Sequence, residues 1–237
     1  MRKFRLHLLI FILLLTQSAC FEIREQITID KDGKGTYSMV MDFSASKKMF
    51  QMMMDLANTK EGNAVGLEEN PLNGLDSAFT ALSSELNLIR GISDAKGIKN
   101  EQDFLFGIEL KYEDIDALNL ALNKLDEGNT NPEGKPYYIY DRKGRLEKTA
   151  SFNLQNLTNE MVPKNDASSN TELDAQLQAL YDDVTYTMIV KTEDAKIRNF
   201  SNEEAELSED KSTLTFSKTL KDLKAMSMDV SNFIRFR

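Results

Sequence analysis

The alternation of apolar and polar side chains constrains the fold of this chain more than any other feature of its sequence. Successive side chains of a strand point to opposite faces, so a period of two predicts a half-buried β-strand. The alternation is strictest at Phe104, Phe106, Ile108, Leu110 and Tyr112. It also runs from Phe21 to Asp30, where Glu25 takes a position on the apolar side. Both segments are predicted strands.

A further alternating segment, from Tyr37 to Phe43, follows the sequence DKDGKG. Asp32 and Gly33 favour the left-handed backbone of a tight turn, so the two flanking segments predict a β-hairpin. The stretch from Asp30 to Gly33 also matches the first positions of a calcium loop, but the later ligands and the distal glutamate of such loops are missing. We therefore predict a turn here, without a metal ion.

Two helices are predicted after this hairpin. Ser44 is a suitable N-cap, and Met49 and Met53 follow at helical spacing. Apolar side chains then recur by threes and fours over residues 72–87, a pattern typical of a helix packed along another helix. Together the two segments predict an αα-hairpin near the N-terminus.

The rest of the chain predicts further strands and two short helices. Asp114 is placed to cap a helix over residues 115–125. A second hairpin is expected around Gly144, and four more strands lie between residues 184 and 236, with a helical turn near Leu220. Because hairpins make neighbouring strands antiparallel, we expect an α+β fold: a mostly antiparallel sheet with helices packed on one face.

The first 19 residues have the order of a secretory signal. Arg2, Lys3 and Arg5 form a basic start, an apolar stretch runs from Leu6 to Leu15, and small or polar residues follow as far as Ala19. The apolar stretch has about ten residues, whereas a helix that crosses a membrane needs roughly 20. We expect residues 1–19 to be removed and residues 20–237 to form a single domain.

The sequence Ser18-Ala19-Cys20 resembles the lipobox of bacterial lipoproteins, with Gln17 at a position where that pattern prefers Leu, Val or Ile. The resemblance implies cleavage between Ala19 and Cys20, a diacylglycerol on the Cys20 sulfur and a third acyl chain on its amine. Two or more chains give stable membrane anchoring. The alternative is ordinary cleavage after Ala19, which leaves a secreted protein with a free thiol.

The sequence CFEIREQITIDKDGKGTYSMVMDFS, which begins at Cys20, is also similar to the start of LppM-like bacterial lipoproteins. In these proteins the lipidated cysteine leads directly into a hairpin with an Asp-Gly-x-Gly turn. The resemblance implies a cell-envelope protein held on the membrane by its lipid. Phe21 stands where an aspartate retains some lipoproteins at the inner membrane, so the outer membrane, facing the periplasm, is preferred.

Composition excludes several classes of function. Cleavage after Ala19 removes three of the 29 basic residues and none of the 38 acidic ones. The remaining net charge of −12 disfavours nucleic-acid binding. The same cleavage removes His7, the only histidine, and lipidation uses Cys20, the only cysteine. Catalytic triads that need imidazole or thiol and zinc sites built from His or Cys are thereby excluded, and no cofactor is predicted. Carboxylate chemistry, as in glycosidases or Mg²⁺ and Ca²⁺ sites, and a Ser-Lys or Ser-acid arrangement stay open.

Six of the 11 methionines lie between Met39 and Met54. Their flexible thioether side chains suit either a gap-filling core or an apolar cleft that receives an acyl chain or a partner helix. We favour the core, between the first hairpin and the first helix. A cleft near Met49 to Met54 is the alternative.

Neighbouring acids and a tyrosine cluster are the remaining candidates. A glycosidase needs two carboxyls about 5 to 9 Å apart across a cleft, and acids adjacent in polar loops do not provide that geometry, so we expect solvated surface. Tyr137, Tyr138 and Tyr140 either stack on sugars or, as we favour, divide between core and sheet face. The acids are Glu68-Glu69, Asp182-Asp183, Glu203-Glu204-Glu206 and Glu209-Asp210.

These observations favour a membrane-anchored envelope lipoprotein without catalytic activity, which binds a protein partner or acts as an accessory subunit. A lipid- or glycolipid-binding module is the second hypothesis. A carboxylate-dependent hydrolase is the third. The identity of the partner and the oligomeric state are left open by the sequence.

Overall fold

The computed structural model describes residues 21–47, 71–126, 136–141, 143–150, 184–225 and 232–236. These residues are mostly β. Their strands are β1 Glu22–Ile29, β2 Gly35–Asp42, β3 Ile92–Asn100, β4 Leu105–Tyr112, β5 Tyr138–Asp141, β6 Arg145–Lys148, β7 Thr185–Thr192, β8 Ile197–Phe200, β9 Glu206–Leu207, β10 Thr213–Thr219 and β11 Asn232–Phe236.

The strands form two sheets. The large sheet has seven strands in the order β3-β4-β2-β1-β7-β10-β9, and the small sheet has four in the order β5-β6-β11-β8. Neighbouring strands are antiparallel except β1 and β7, which are parallel. In that pair Glu22 lies opposite Thr185 and Ile29 lies opposite Thr192. The first strand of the domain is therefore in the middle of the large sheet.

The described helices are α1 Pro71–Leu86, α2 Ile115–Leu125 and α3 Leu220–Ala225, with a 3-10 turn at Ser44–Ser46. The side chain of Asp114 accepts a hydrogen bond from the Ala117 amide at 2.7 Å, so α2 begins where its predicted cap lies. The Asn119 side chain connects α2 to β5 through two hydrogen bonds with the backbone of Tyr138, at 2.8 and 2.9 Å.

The core lies on one face of the large sheet. Alternate residues of the inner strands are buried there, including Ile27 on β1, Met39 on β2, Ile108 on β4 and Val190 on β7. Residues in direct register, such as Met39 and Ile108, place their side chains on the same face. The period-two pattern of the sequence thus corresponds to the buried face of a single sheet.

The predicted fold class is wrong. We expected an α+β fold with one sheet covered by helices on one face, whereas the described residues are mostly β and form two separate sheets. The second sheet supplies apolar surface that the prediction assigned to helices: Leu146, Ile234 and Phe236 of β6 and β11 are buried. Local periodicity identifies strands, but it does not say which strands share a sheet.

The predicted αα-hairpin near the N-terminus is also wrong. Among the described residues, α1 packs on β3 rather than along an antiparallel helix, with Phe79 beside Gly97. The Asn87 side chain completes this contact through hydrogen bonds with the Ala95 backbone at 2.8 and 3.0 Å. The segment of the first predicted helix from residue 48 onwards lies outside the described residues.

Both predicted hairpin turns are present. Gly33 and Gly144 have φ values of 85° and 77°, the left-handed conformation that glycine adopts without strain. β1 pairs with β2 across the first turn, and β5 pairs with β6 across the second. Within the described ranges, the structure has no helix that is long and apolar enough to cross a membrane.

Gly107 in β4 provides a test of the sheet packing. A Cβ atom there would lie 2.1 Å from the Met39 carbonyl oxygen, which belongs to the backbone of the neighbouring strand. We expect Gly107→Ala to reduce the free energy of unfolding by about 2 to 3 kcal/mol, measured by urea denaturation. Gly97→Ala is the matched control, because its nearest contact is 3.6 Å away. Equal stability of the two variants would contradict the packing described for β2 and β4.

Candidate functional site

A buried ion pair between Glu25 and Lys148 lies between the two sheets. The Lys148 ammonium is 2.7 Å from Glu25 Oε1 and 2.9 Å from Oε2. The exposed fraction of each side chain is only 1%. Charges in such surroundings are stable only when they are paired and hydrogen-bonded, so each of these residues depends on the other.

Two tyrosines also donate hydrogen bonds to the Glu25 carboxylate. Tyr138 donates its hydroxyl to Glu25 Oε1 at 2.6 Å, and Tyr186 donates its hydroxyl to Oε2. Lys148 also donates to the Tyr138 hydroxyl at 3.2 Å. Each carboxylate oxygen therefore accepts two hydrogen bonds from buried donors, one from the lysine and one from a tyrosine.

The four residues come from both sheets. Glu25 and Tyr186 lie on β1 and β7 of the large sheet, whereas Tyr138 and Lys148 lie directly opposite each other on β5 and β6 of the small sheet. The ion pair and the Tyr138 hydrogen bond consequently cross from one sheet to the other. We call these four residues the inter-sheet cluster.

The protonation of the pair follows from burial and charge. Burial alone would raise the pKa of Glu25, but the charge of Lys148 and the hydrogen bonds from Lys148 and the two tyrosines outweigh it, so this pKa lies below its usual value. Burial lowers the pKa of Lys148, and the charge of Glu25 opposes that change. The cluster is an ion pair near neutral pH.

The tyrosines of the cluster resist ionisation. Burial raises the pKa of Tyr138 and of Tyr186 well above 10.0, and the negative charge of Glu25 adds to the effect. The same two causes raise the pKa of Tyr37, whose buried hydroxyl has no hydrogen-bond partner among the residues described here. All three hydroxyls therefore stay protonated, and those of Tyr138 and Tyr186 donate to Glu25.

The inter-sheet cluster contains acid, amine and phenol groups in contact, but it is enclosed. All four residues are buried, with at most 2% of any whole residue exposed. A substrate would reach the carboxylate only if the two sheets separated. The arrangement is suited to holding the sheets together, and we interpret it as a structural site.

Several of the sites predicted from the sequence lie outside the described residues. They are the signal cleavage at Ala19, the lipidation site at Cys20 and the apolar cleft near Met49 to Met54, and all three stay predictions. The Asp30 carboxylate accepts hydrogen bonds from the amides of Asp32 and Lys34 at 2.8 and 3.0 Å, as expected for a turn. No group of potential metal ligands occurs among the described residues.

Three tyrosines lie at or next to β5. Tyr137 and Tyr138 are buried, and Tyr140 stacks on Phe236 with ring centroids 5.9 Å apart, so these side chains divide between core and sheet face as expected.

Hydrogen bonds from Ser208 and Ser212 lower the pKa of Asp210 to about 2. Glu68-Glu69 and Asp182-Asp183 lie outside the described residues.

Sequence reasoning singled out Glu25 and Tyr138, though not as partners, and missed Lys148 and Tyr186. Glu25 was visible as a carboxylate on the apolar side of a strand. The signal that would have extended this observation is the need of a buried carboxylate for a buried cation. Lys148 lies two positions after Leu146 in β6, so the alternation places this lysine on the buried face and distinguishes it from the exposed lysines.

The chain has only a loose similarity to known proteins. No protein-family model and no curated protein matches the chain. The folded domain of Mycobacterium tuberculosis LppM, determined by NMR, is similar with a TM-score of 0.40 and 11% sequence identity, covering 92% of this chain and 88% of that one. This loose likeness assigns no activity to the inter-sheet cluster.

Removal of the Lys148 charge tests the cluster. Lys148→Met keeps the length of the side chain but leaves the Glu25 carboxylate buried without its cation, so we expect the free energy of unfolding to fall by about 3 to 5 kcal/mol. Urea denaturation followed by circular dichroism measures the change. Lys111→Met is the control, because Lys111 and Asp94 form an exposed pair, and it should unfold like the wild type. Similar stability of both variants would contradict the role assigned to the cluster.

Acid should weaken the fold through Glu25. Because its pKa is lower in the folded than in the unfolded chain, its contribution to stability is complete above the unfolded-state pKa near 4.5 and is lost as the pH falls through the folded-state value. We expect this contribution to the free energy of unfolding to be lost as the pH falls below about 4.5. Glu25→Gln should show a shallower pH dependence. Parallel pH profiles of variant and wild type would be inconsistent with this account.

Proposed function

We propose that the chain is a lipid-anchored envelope protein without catalytic activity, which presents a two-sheet body to a protein partner or serves as an accessory subunit. The observation that supports this proposal is the position of β1. This strand begins at Glu22, two residues after Cys20, and lies in the middle of the large sheet. A lipid on Cys20 would thus be attached almost directly to the centre of the folded body.

The residue after Cys20 is already part of the core. Phe21 is buried, and its ring centroid lies 4.8 Å from that of Phe43. The Phe21 carbonyl accepts a hydrogen bond from the Thr185 amide at 3.1 Å. No flexible linker therefore separates residue 20 from the domain, and acyl chains at that position would hold the body beside the bilayer. The outer membrane, facing the periplasm, is our preferred location.

Exposed apolar side chains favour a protein partner. Leu88, Leu120 and Ile139 have exposed fractions of 86%, 57% and 48%. Leu88 lies in the turn after α1, Leu120 in α2 and Ile139 in β5, and α2 is in contact with both α1 and β5. Contiguous apolar patches are typical of surfaces that another protein covers, and these three side chains are our candidates for one.

The two alternatives stay predictions. A lipid-binding cleft would involve the segment from Met49 to Met54, and a hydrolase would need two distant acids that converge in one open pocket. Native mass spectrometry of detergent-extracted protein separates the leading hypothesis from the first alternative. A stoichiometric protein favours the accessory role, and a lipid additional to the anchor favours the lipid-binding module.

Metabolic labelling with an alkyne analogue of palmitate tests the anchor. We expect the wild type to incorporate the label and Cys20→Ala to lose it completely, because the sulfur is the attachment atom. Gln17→Leu, which restores the residue type preferred at that position of the lipobox, is the control and should remain labelled. An unlabelled wild type, or a labelled Cys20→Ala variant, would refute lipidation at this cysteine and leave an exported globular protein.

A further inference from the structure

A pocket of about 320 Å³ opens where the edges of the two sheets meet. Lys196, Ile197 and Arg198 line it from the start of β8 in the small sheet. Leu207 of β9 and Lys211, in the turn before β10, line it from the large sheet. The pocket is therefore a product of the tertiary fold, with two apolar and three cationic side chains.

The three cations are not neutralised by the rest of the described structure. Lys196, Arg198 and Lys211 are exposed, and none forms an ion pair with a described residue. Two of the acids nearby in the sequence, Asp194 and Asp210, have other partners. The Asp194 carboxylate accepts a hydrogen bond from the Lys31 amide at 3.1 Å, and that of Asp210 accepts hydrogen bonds from serine hydroxyls.

The backbone that presents Lys211 is held in place. Lys211 has a φ of 61°, a left-handed conformation that non-glycine residues rarely adopt. Its amide donates to the Ser208 carbonyl at 2.9 Å, and its carbonyl accepts from the Ile197 amide at 2.8 Å. Such strained positions cluster at binding sites, where the surrounding structure maintains them. The two sides of the pocket are thus directly hydrogen-bonded to each other.

We propose that this pocket binds a small phosphate ester. A guanidinium and two ammonium groups, contributed from both sides of the pocket, favour a phosphate, and Arg198 offers the planar donor pair that matches its oxygens. Leu207 provides an apolar contact for the organic group attached to the phosphate. Pockets for small molecules begin at about 300 Å³, so the space accommodates a phosphate with a short substituent.

The position of the pocket favours a soluble ester over a headgroup of the anchoring membrane. β7 runs parallel to β1, and β8 starts shortly after β7 ends, so the pocket lies at the opposite end of the large sheet from residue 20. An eight-residue strand spans about 23 Å. The phosphate-ester proposal is independent of lipidation at Cys20, and either can fail without the other.

Isothermal titration of the full-length, detergent-solubilised protein with glycerol 3-phosphate tests this proposal. We expect saturable binding that weakens at least tenfold in Arg198→Gln and in Lys211→Asn, where asparagine keeps the left-handed backbone. Lys143→Gln removes an exposed cation outside the pocket and should bind like the wild type. No binding by the wild type, or equal binding by all variants, would overturn the proposal.

Two further ligands identify the source of the phosphate. Dihexanoyl phosphatidylglycerol that binds as tightly as glycerol 3-phosphate, with no binding of dihexanoyl phosphatidylcholine, supports the shared phosphate chemistry and includes lipids among the ligands. Weaker binding of both lipids supports a soluble ester. Equal binding of phosphatidylcholine and phosphatidylglycerol, insensitive to Arg198→Gln, indicates apolar association and contradicts the proposal.

Discussion

The buried ion pair of Glu25 and Lys148 is the interaction on which the relative placement of the two sheets depends. Desolvation of each charge is expensive, and only the partner charge together with the tyrosine hydroxyls compensates for it. A shift of one sheet along the other would leave both charges buried and separated. Apolar contacts alone tolerate small shifts, so the pair specifies one arrangement among several that would bury similar apolar area.

Contacts between residues that are distant in the sequence, such as this ion pair, explain why only part of the fold was predictable. β4 and the first hairpin follow from local alternation and from Gly33, and the start of α2 follows from Asp114. The assignment of strands to two sheets depends on contacts such as that between residues 25 and 148, which are 123 positions apart. The parallel pairing of β1 with β7 joins residues even further apart in the sequence, such as Glu22 and Thr185, and no local pattern predicts it.

The candidate sites show the same division between local and distant information. Glu25 was visible as an anomaly on an apolar face. Lys148 and Tyr186 also occupy the buried face of their strands, but nothing in the local sequence indicates that they meet Glu25. The cationic pocket was invisible because Lys196 and Arg198 meet Lys211 only after β8 approaches the turn before β10. A cluster of cations in a chain with a large net negative charge emerges from tertiary structure alone.

A double-mutant cycle at the ion pair tests the central claim most directly. The free energies of unfolding of wild type, Glu25→Gln, Lys148→Met and the double variant are measured by urea denaturation. We predict a coupling energy of about 2 to 3 kcal/mol, because the double variant no longer buries an unpaired charge. Effects that add within about 0.5 kcal/mol would show that the two residues stabilise the fold independently and would contradict the account.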